Sequence, residues 1–175
     1  MDTMPANSMG AGFAQVQVPS VAEQIRTLFS QSGIRGISNY KAHLLAAFMV
    51  AWSTKGWVGR LDERKQKGFY EGYYGSLFVL MKKQFPSSAE GPDFLKAELD
   101  DVFIDLDQLT ELALRDPTKA FKLGDRVVQH TFEKVPSQIH PQDSFVASMI
   151  FLSILGSLLD SVTEISRRVT VIDPV

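Results

Sequence analysis

The chain has 175 residues, with 18 Lys and Arg against 20 Asp and Glu, and it contains no cysteine. This length is sufficient for one domain with its own core, and the net charge of −2 excludes a global field that attracts nucleic acid or an anionic membrane. The absence of cysteine excludes disulfides, thiolate nucleophiles and zinc–thiolate sites, and it favours a cytoplasmic location.

The first 18 residues predict a flexible N-terminal arm. The stretch MDTMPANSMGAGFAQVQVP contains no basic residue and no apolar block, so it has the pattern of neither a signal peptide nor a transit sequence. Its last part, FAQVQV (13–18), alternates like a short strand that pairs with another segment.

Six helices are predicted after this arm. Ser20 begins a capping box with Glu23, Ser38 precedes the second helix, and Asp116-Pro117 opens the fifth. The predicted helices span about 20–33, 38–58, 61–85, 93–115, 116–134 and 142–167. The tail 168–175 is β-like and is expected to be extended. We therefore expect an all-α, single-domain bundle over residues 19–167.

The last predicted helix is apolar on nearly all sides. Its uncharged run SFVASMIFLSILGSLL (144–159) is shorter than the roughly twenty residues that a membrane span needs. We expect 142–167 to be the central helix of the bundle, packed against the similarly apolar segment 41–54, and we expect no membrane span.

The third helix contains the unusual stretch GFYEGYYGSLF (68–78). On a helical wheel its aromatic residues share one face, and Gly68, Gly72 and Gly75 share the opposite face. A glycine inside a helix costs about 1 kcal/mol relative to alanine, so the glycine face predicts a second helix that crosses closely.

Two tyrosines of this stretch, Tyr70 and Tyr74, are expected at the boundary of the core, where they are candidates to contact a partner protein. Residues 60–83 also contain six basic residues against three acidic ones, and aromatic and basic residues together are typical of sites that bind single-stranded nucleic acid. The basic residues lie at the edges of the helix rather than in register with the aromatics, which disfavours a nucleic-acid partner.

The fourth helix is strongly acidic, with eight acidic residues against two basic ones over 93–116. Glu98, Asp101 and Asp105 line one flank of its apolar seam. This flank is either a solvated face or a docking face for a basic partner, which could be another protein or the 60–83 helix. A calcium loop starting at Asp105 fails because Thr110 stands where glycine is required, and we expect no metal and no cofactor.

A pocket is the alternative to a purely protein-binding surface. His43 lies in an apolar run and could be the polar anchor of a pocket lined by Phe48, Trp52, Tyr73 and Tyr74. Such a pocket would make the protein a helical carrier of a small apolar or planar ligand.

A tryptophan in a predicted joint between helices also has two interpretations. Trp57, between glycines in STKGWVGR (53–60), is either a buried plug of the joint or an exposed anchor for a partner.

The sequence contains no nucleophile–base arrangement, phosphate loop or dinucleotide motif, so we expect no enzymatic activity. The segments 41–54, 69–81 and 144–162 offer more apolar surface than a six-helix monomer readily buries. We therefore predict a non-catalytic protein–protein interaction module that forms a homo-oligomer and acts as an adaptor, scaffold or regulator.

Overall fold

The computed structural model describes residues 2–87, 91–132, 137 and 139–175. The described residues form seven α-helices and one small parallel sheet, which confirms the all-α single-domain bundle. The helices are α1 (Ala6–Gly12), α2 (Val18–Gln31), α3 (Asn39–Val58), α4 (Glu63–Gln84), α5 (Pro92–Arg115), α6 (Ala120–Thr131) and α7 (Pro141–Arg168). The strands are β1 (Asp2–Pro5) and β2 (Val169–Ile172).

The predicted helices correspond to α2–α7, with ends that differ by a few residues. Ser38 accepts a hydrogen bond from the Lys41 amide and caps α3 as expected. Ser20 does not start a helix, because α2 already begins at Val18. Asp116 caps a 3₁₀ turn (Pro117–Lys119) before α6, and residues 133–134 of the predicted fifth helix lie outside the described residues.

The expected flexible arm is wrong. Residues 6–31 form one helical run in which α1 and α2 are joined by a π-helical segment, Phe13–Gln17. Ala6, Ala14 and Val18 are completely buried. This packing could not be predicted from the composition of the segment, because α1 makes its close contacts largely through small residues and main chain rather than through a continuous apolar block.

Pro19 gives a physical reason for the π segment. Proline has no amide hydrogen for the Gln15 carbonyl, and its ring collides with that carbonyl in a regular α-helix. A π turn immediately before Pro19 changes the hydrogen-bond register at this point. The strand-like alternation of FAQVQV therefore lies in a helix.

The glycine face of α4 is covered by α1 at Gly72, as the sequence predicted for a crossing helix, whereas a Cβ atom on Gly75 would meet no described atom within 4 Å. A Cβ atom on Gly72 would lie 2.0 Å from the Asn7 carbonyl oxygen, and one on Gly10 would lie 1.9 Å from the Phe69 carbonyl oxygen. Gly68 receives the tail instead, since its Cβ would lie 2.8 Å from the Pro174 side chain. Main chain therefore meets main chain at this crossing.

The two ends of the chain pair with each other. β1 and β2 are parallel, in a register that joins Asp2 to Val169 and Pro5 to Ile172. The Asn7 side chain donates a hydrogen bond to the Val175 carbonyl oxygen over 2.9 Å and accepts one from its amide over 3.3 Å. The extended C-terminal tail was predicted, but its partner strand was not.

The apolar core is centred on α3, whose residues from Ala42 to Ala51 are all buried. α7 packs on α3 and α6, so the predicted contact with 41–54 is confirmed. α7 is less enclosed than expected, because Phe145 is 56% exposed and Met149 53% exposed. By length and hydropathy α7 alone among the described helices could cross a membrane, and 44% of that span is buried.

The crossing of α1 and α4 can be tested with a matched pair of glycine variants. Gly72→Ala is expected to lower the free energy of unfolding by roughly 1–3 kcal/mol, because its methyl group collides with main chain. The methyl group of Gly75→Ala meets no atom of a described residue within 4 Å, and this variant is expected to raise the free energy of unfolding by up to about 1 kcal/mol through helix propensity. Chemical denaturation measures both values, and equal effects would contradict the crossing.

Candidate functional site

An open groove between α4 and α5 is the candidate site, and α3 forms the floor of its larger hollow. It consists of two adjoining hollows of about 800 and 600 Å³, which share Tyr74 and Phe103 as walls. We call it the α4–α5 groove and define it by Trp52, Tyr70, Tyr74, Phe78, Leu99, Phe103 and Ile104.

The groove exists because α4 is held mainly by the N-terminal helical run. α1 and the π segment pack against α4, whereas α4 and α5 make few contacts with each other among the described residues. Phe69, Tyr73 and Leu77 anchor α4 in the core. The next side chains around α4 line the open groove opposite α5, and they are Tyr70, Tyr74 and Phe78.

The tyrosines divide between the core and the groove. The Tyr73 hydroxyl is buried and donates a hydrogen bond to the Ala47 carbonyl oxygen over 2.7 Å. Tyr70 and Tyr74 stack with ring centroids 6.2 Å apart, and Tyr74 is 41% exposed. Within the described part of the chain, neither the Tyr70 nor the Tyr74 hydroxyl has a hydrogen-bond partner.

Both groove tyrosines stay protonated at neutral pH. Burial raises the pKa of Tyr74 to about 12, with further contributions from Tyr70 and the Asp100 carboxylate. Burial also raises the pKa of Tyr70, although the nearby Lys55 ammonium opposes the shift. Two neutral phenols therefore offer hydrogen-bond donors on an otherwise apolar wall.

A polar cluster closes one side of the groove. The Trp52 indole Nε1 donates a hydrogen bond to Asp107 Oδ1 over 2.9 Å, and Lys55 Nζ lies 3.2 Å from the same oxygen. These contacts fix the Trp52 ring at the groove floor. Asp107 is therefore paired within the protein, with Trp52 and Lys55.

The acidic flank of α5 is also partly used inside the fold. Glu98 accepts a hydrogen bond from the Tyr40 hydroxyl, and burial together with this carboxylate raises the pKa of Tyr40. Asp105 accepts from His130 Nε2 over 2.9 Å. The 60–83 helix is not the partner of Glu98 or Asp105, and of the three predicted docking carboxylates Asp101 is the exposed one, whereas Glu98 and Asp105 are half-buried.

The structure brings together only part of the predicted pocket. Trp52 and Tyr74 line the groove, whereas Phe48 and Tyr73 are buried beneath it. His43 lies elsewhere, with Nδ1 2.8 Å from the Asn39 carbonyl oxygen and its ring centroid 5.0 Å from that of Phe85. His43 as the anchor of this pocket is therefore wrong, because it does not line the groove and its imidazole packs instead against Phe85.

Trp57 fills a joint, as one of its two interpretations predicted. Its ring centroid lies 6.2 Å from those of both Phe13 and Phe69, and the side chain is half-buried. It connects the π segment to α4 and is not an exposed anchor.

The α5 wall of the groove was not predicted from the sequence. Phe103 and Ile104 are apolar but lie outside the regular 4-3-4-3-4 seam of α5, and that departure was the available signal. The seam consists of Leu95, Leu99, Val102, Leu106, Leu109 and Ala113. Among the described residues no group of three or more His, Asp or Glu side chains could hold a metal ion. Comparison of the chain with family models, with curated proteins and with solved structures finds no match.

The environment of His43 predicts a pH dependence of stability. Burial lowers its pKa below the ordinary 6.5, so the unfolded chain takes up the proton first as the pH falls. The contribution of neutral His43 to the free energy of unfolding is therefore fully present above about pH 6.5. It declines below that pH, by at most about 1.4 kcal/mol per pH unit for one proton. Denaturation of His43→Leu between pH 7.5 and 5.5 should lack this component.

His140→Gln changes an exposed histidine and serves as the control. It should retain the pH dependence of the natural sequence. A His43→Leu variant that loses stability in parallel with the natural sequence below pH 6.5 would contradict the assignment.

Proposed function

We propose that this protein is a non-catalytic protein–protein interaction module that binds a helix of its partner in the α4–α5 groove. The observation that carries the proposal is the splayed arrangement of α4 and α5, which leaves aromatic walls uncovered over an apolar floor. An amphipathic helix lying in an apolar groove is a common mode of protein recognition.

The chemistry of the groove walls supports a peptide helix as the ligand. Ile104 is 77% exposed on one rim, and Tyr74 and Phe103 supply broad apolar contact at the centre. Aromatic residues in such positions carry much of the energy of many interfaces. The free Tyr70 and Tyr74 hydroxyls can donate to carbonyl or carboxylate oxygens of the bound segment.

Self-association is the second part of the proposal, and we assign it to the outer face of α7. Phe145, Met149, Leu152 and Gly156 share one side of this helix, within the uncharged run 144–159. A Cβ atom on Gly156 would meet no atom of the described residues within 4 Å, in contrast to Gly10 and Gly72, which are covered by main chain. A second copy lying against this face would bury its exposed apolar side chains.

A helical carrier of a small apolar ligand is the alternative function. The hollow beside Tyr74, Phe78 and Phe103 measures about 600 Å³, which is within the range of small-molecule sites. Native mass spectrometry separates the two functions. A retained small-molecule mass would favour the carrier, whereas a bare chain or a bare multiple of its mass would favour the interaction module.

The groove can be tested with a peptide probe of defined sequence. An 18-residue acetylated and amidated peptide with a Leu and Phe face should bind the full chain in a fluorescence anisotropy titration. Ile104→Glu should weaken binding about tenfold, which corresponds to about 1.4 kcal/mol, because it places a charge on the apolar rim.

Val79→Glu is the matched control, since Val79 is 62% exposed on α4 but does not line the groove. It should bind the peptide like the natural sequence. Equal weakening by the two variants, or no effect of Ile104→Glu, would argue against the groove.

Self-association through the outer face of α7 can be tested with charged substitutions on that face. The double variant Phe145→Glu/Met149→Glu should be monomeric at concentrations where the natural sequence forms a dimer or higher species, because four like charges would meet at a two-fold interface. Light scattering after size exclusion measures the mass, with Val79→Glu again as control. A natural sequence that is monomeric at high micromolar concentration would contradict this part of the proposal.

A further inference from the structure

We propose that the segment bound in the α4–α5 groove is acidic at one end, and that Arg60 and Arg167 recognise its carboxylates. This inference rests on the proposed function and adds the charge of the partner and the place where that charge binds.

The α4–α5 groove continues beyond Trp52 into a third hollow. Trp52 and Lys55 line both the groove and this next depression, which measures about 700 Å³ and lies between the C-terminal end of α3 and α7. We call the third hollow the basic cleft, because its charged residues are Lys55, Arg60 and Arg167 against the single acid Glu111.

Within the described residues, the positive charge of the basic cleft is only partly neutralised. Lys55 is paired with Asp107, and Glu111 lies 4.0 Å from Arg115. Arg60 donates through Nε to the Gly56 carbonyl oxygen over 3.1 Å, which leaves its terminal nitrogens available. Arg167 has no ion pair or hydrogen bond with a described residue. Two guanidinium groups are therefore uncompensated at this end.

The opposite end of the groove has the reverse charge. Asp93, Lys96 and Asp100 are exposed there, and within the described residues none of them forms an ion pair. A partner segment lying along the α4–α5 groove and the basic cleft therefore meets net negative charge at one end and net positive charge at the other. Charge complementarity of this kind fixes the register and the direction of a bound helix.

Carboxylates are the groups that suit the basic cleft. Guanidinium is planar and donates two parallel hydrogen bonds to a carboxylate, which a lysine ammonium cannot do. The hydroxyls of Thr163 and Ser166 donate to carbonyl oxygens of α7 itself, so the arginines supply the free donors. Trp52 and Trp57 form an apolar side of the cleft beside these donors.

Two 18-residue peptides test the inference on the full chain. They have the same Leu and Phe face and differ only at four positions of one end, which are Glu in the first peptide and Gln in the second. In about 50 mM salt the Glu peptide should bind at least tenfold more tightly, and the difference should shrink as salt screens the charges.

The variant Arg60→Glu/Arg167→Glu should remove this preference and should bind a third peptide, with Lys at the four positions, more tightly than the natural sequence does. Arg35→Glu/Lys122→Glu makes the same charge change at two exposed sites that line neither the α4–α5 groove nor the basic cleft, and it should leave the preference for the Glu peptide intact. Circular dichroism and thermal unfolding verify that each variant is folded.

The possible outcomes separate the two proposals. Equal affinity for the Glu and Gln peptides, or a preference that survives Arg60→Glu/Arg167→Glu, overturns the role of the basic cleft and leaves the groove standing. Failure of all three peptides to bind overturns the groove as a helix site, and the inference with it.

Discussion

Main chain lies directly on main chain where α1 crosses α4, because Gly10 and Gly72 have no Cβ atoms there. This contact decides the position of α4. It ties the N-terminal run to the bundle, and beside it the Pro174 ring fits against Gly68 and β1 pairs with β2. The helix-propensity cost of the glycines, about 1 kcal/mol each, is offset by the close approach that they allow.

The same contact explains why a groove is present. With α1 and the π segment on one side and the core beneath, α4 needs few contacts with α5. Phe69 and Tyr73 anchor the helix inward, whereas Tyr70 and Tyr74 are left on the open side. The aromatic stretch thus has two roles along one helix: it fills the core, and it supplies the wall that we propose binds a partner.

Residue spacing was enough to predict the helices and the glycine face, because both depend on periodicity within one segment. It did not reveal α1, since Ala6 and Gly10 carry no apolar pattern and act through their small size. The groove was predicted only in part, because Trp52 and Tyr74 were expected to share a pocket but His43 was assigned to it wrongly. Pairs such as Asp105 with His130 join different helices, and no local spacing encodes them.

The basic cleft had no sequence signal for a similar reason, because Arg60 and Arg167 come from distant parts of the chain and meet only through the packing of α3 against α7. Amide hydrogen exchange by mass spectrometry tests most directly the claim on which the account depends, the docking of the N-terminal run. Residues 6–17 are expected to exchange as slowly as residues 68–77 of α4, since the two segments open together. Exchange of residues 6–17 at the rate of an unstructured peptide, while α4 stays protected, would contradict it.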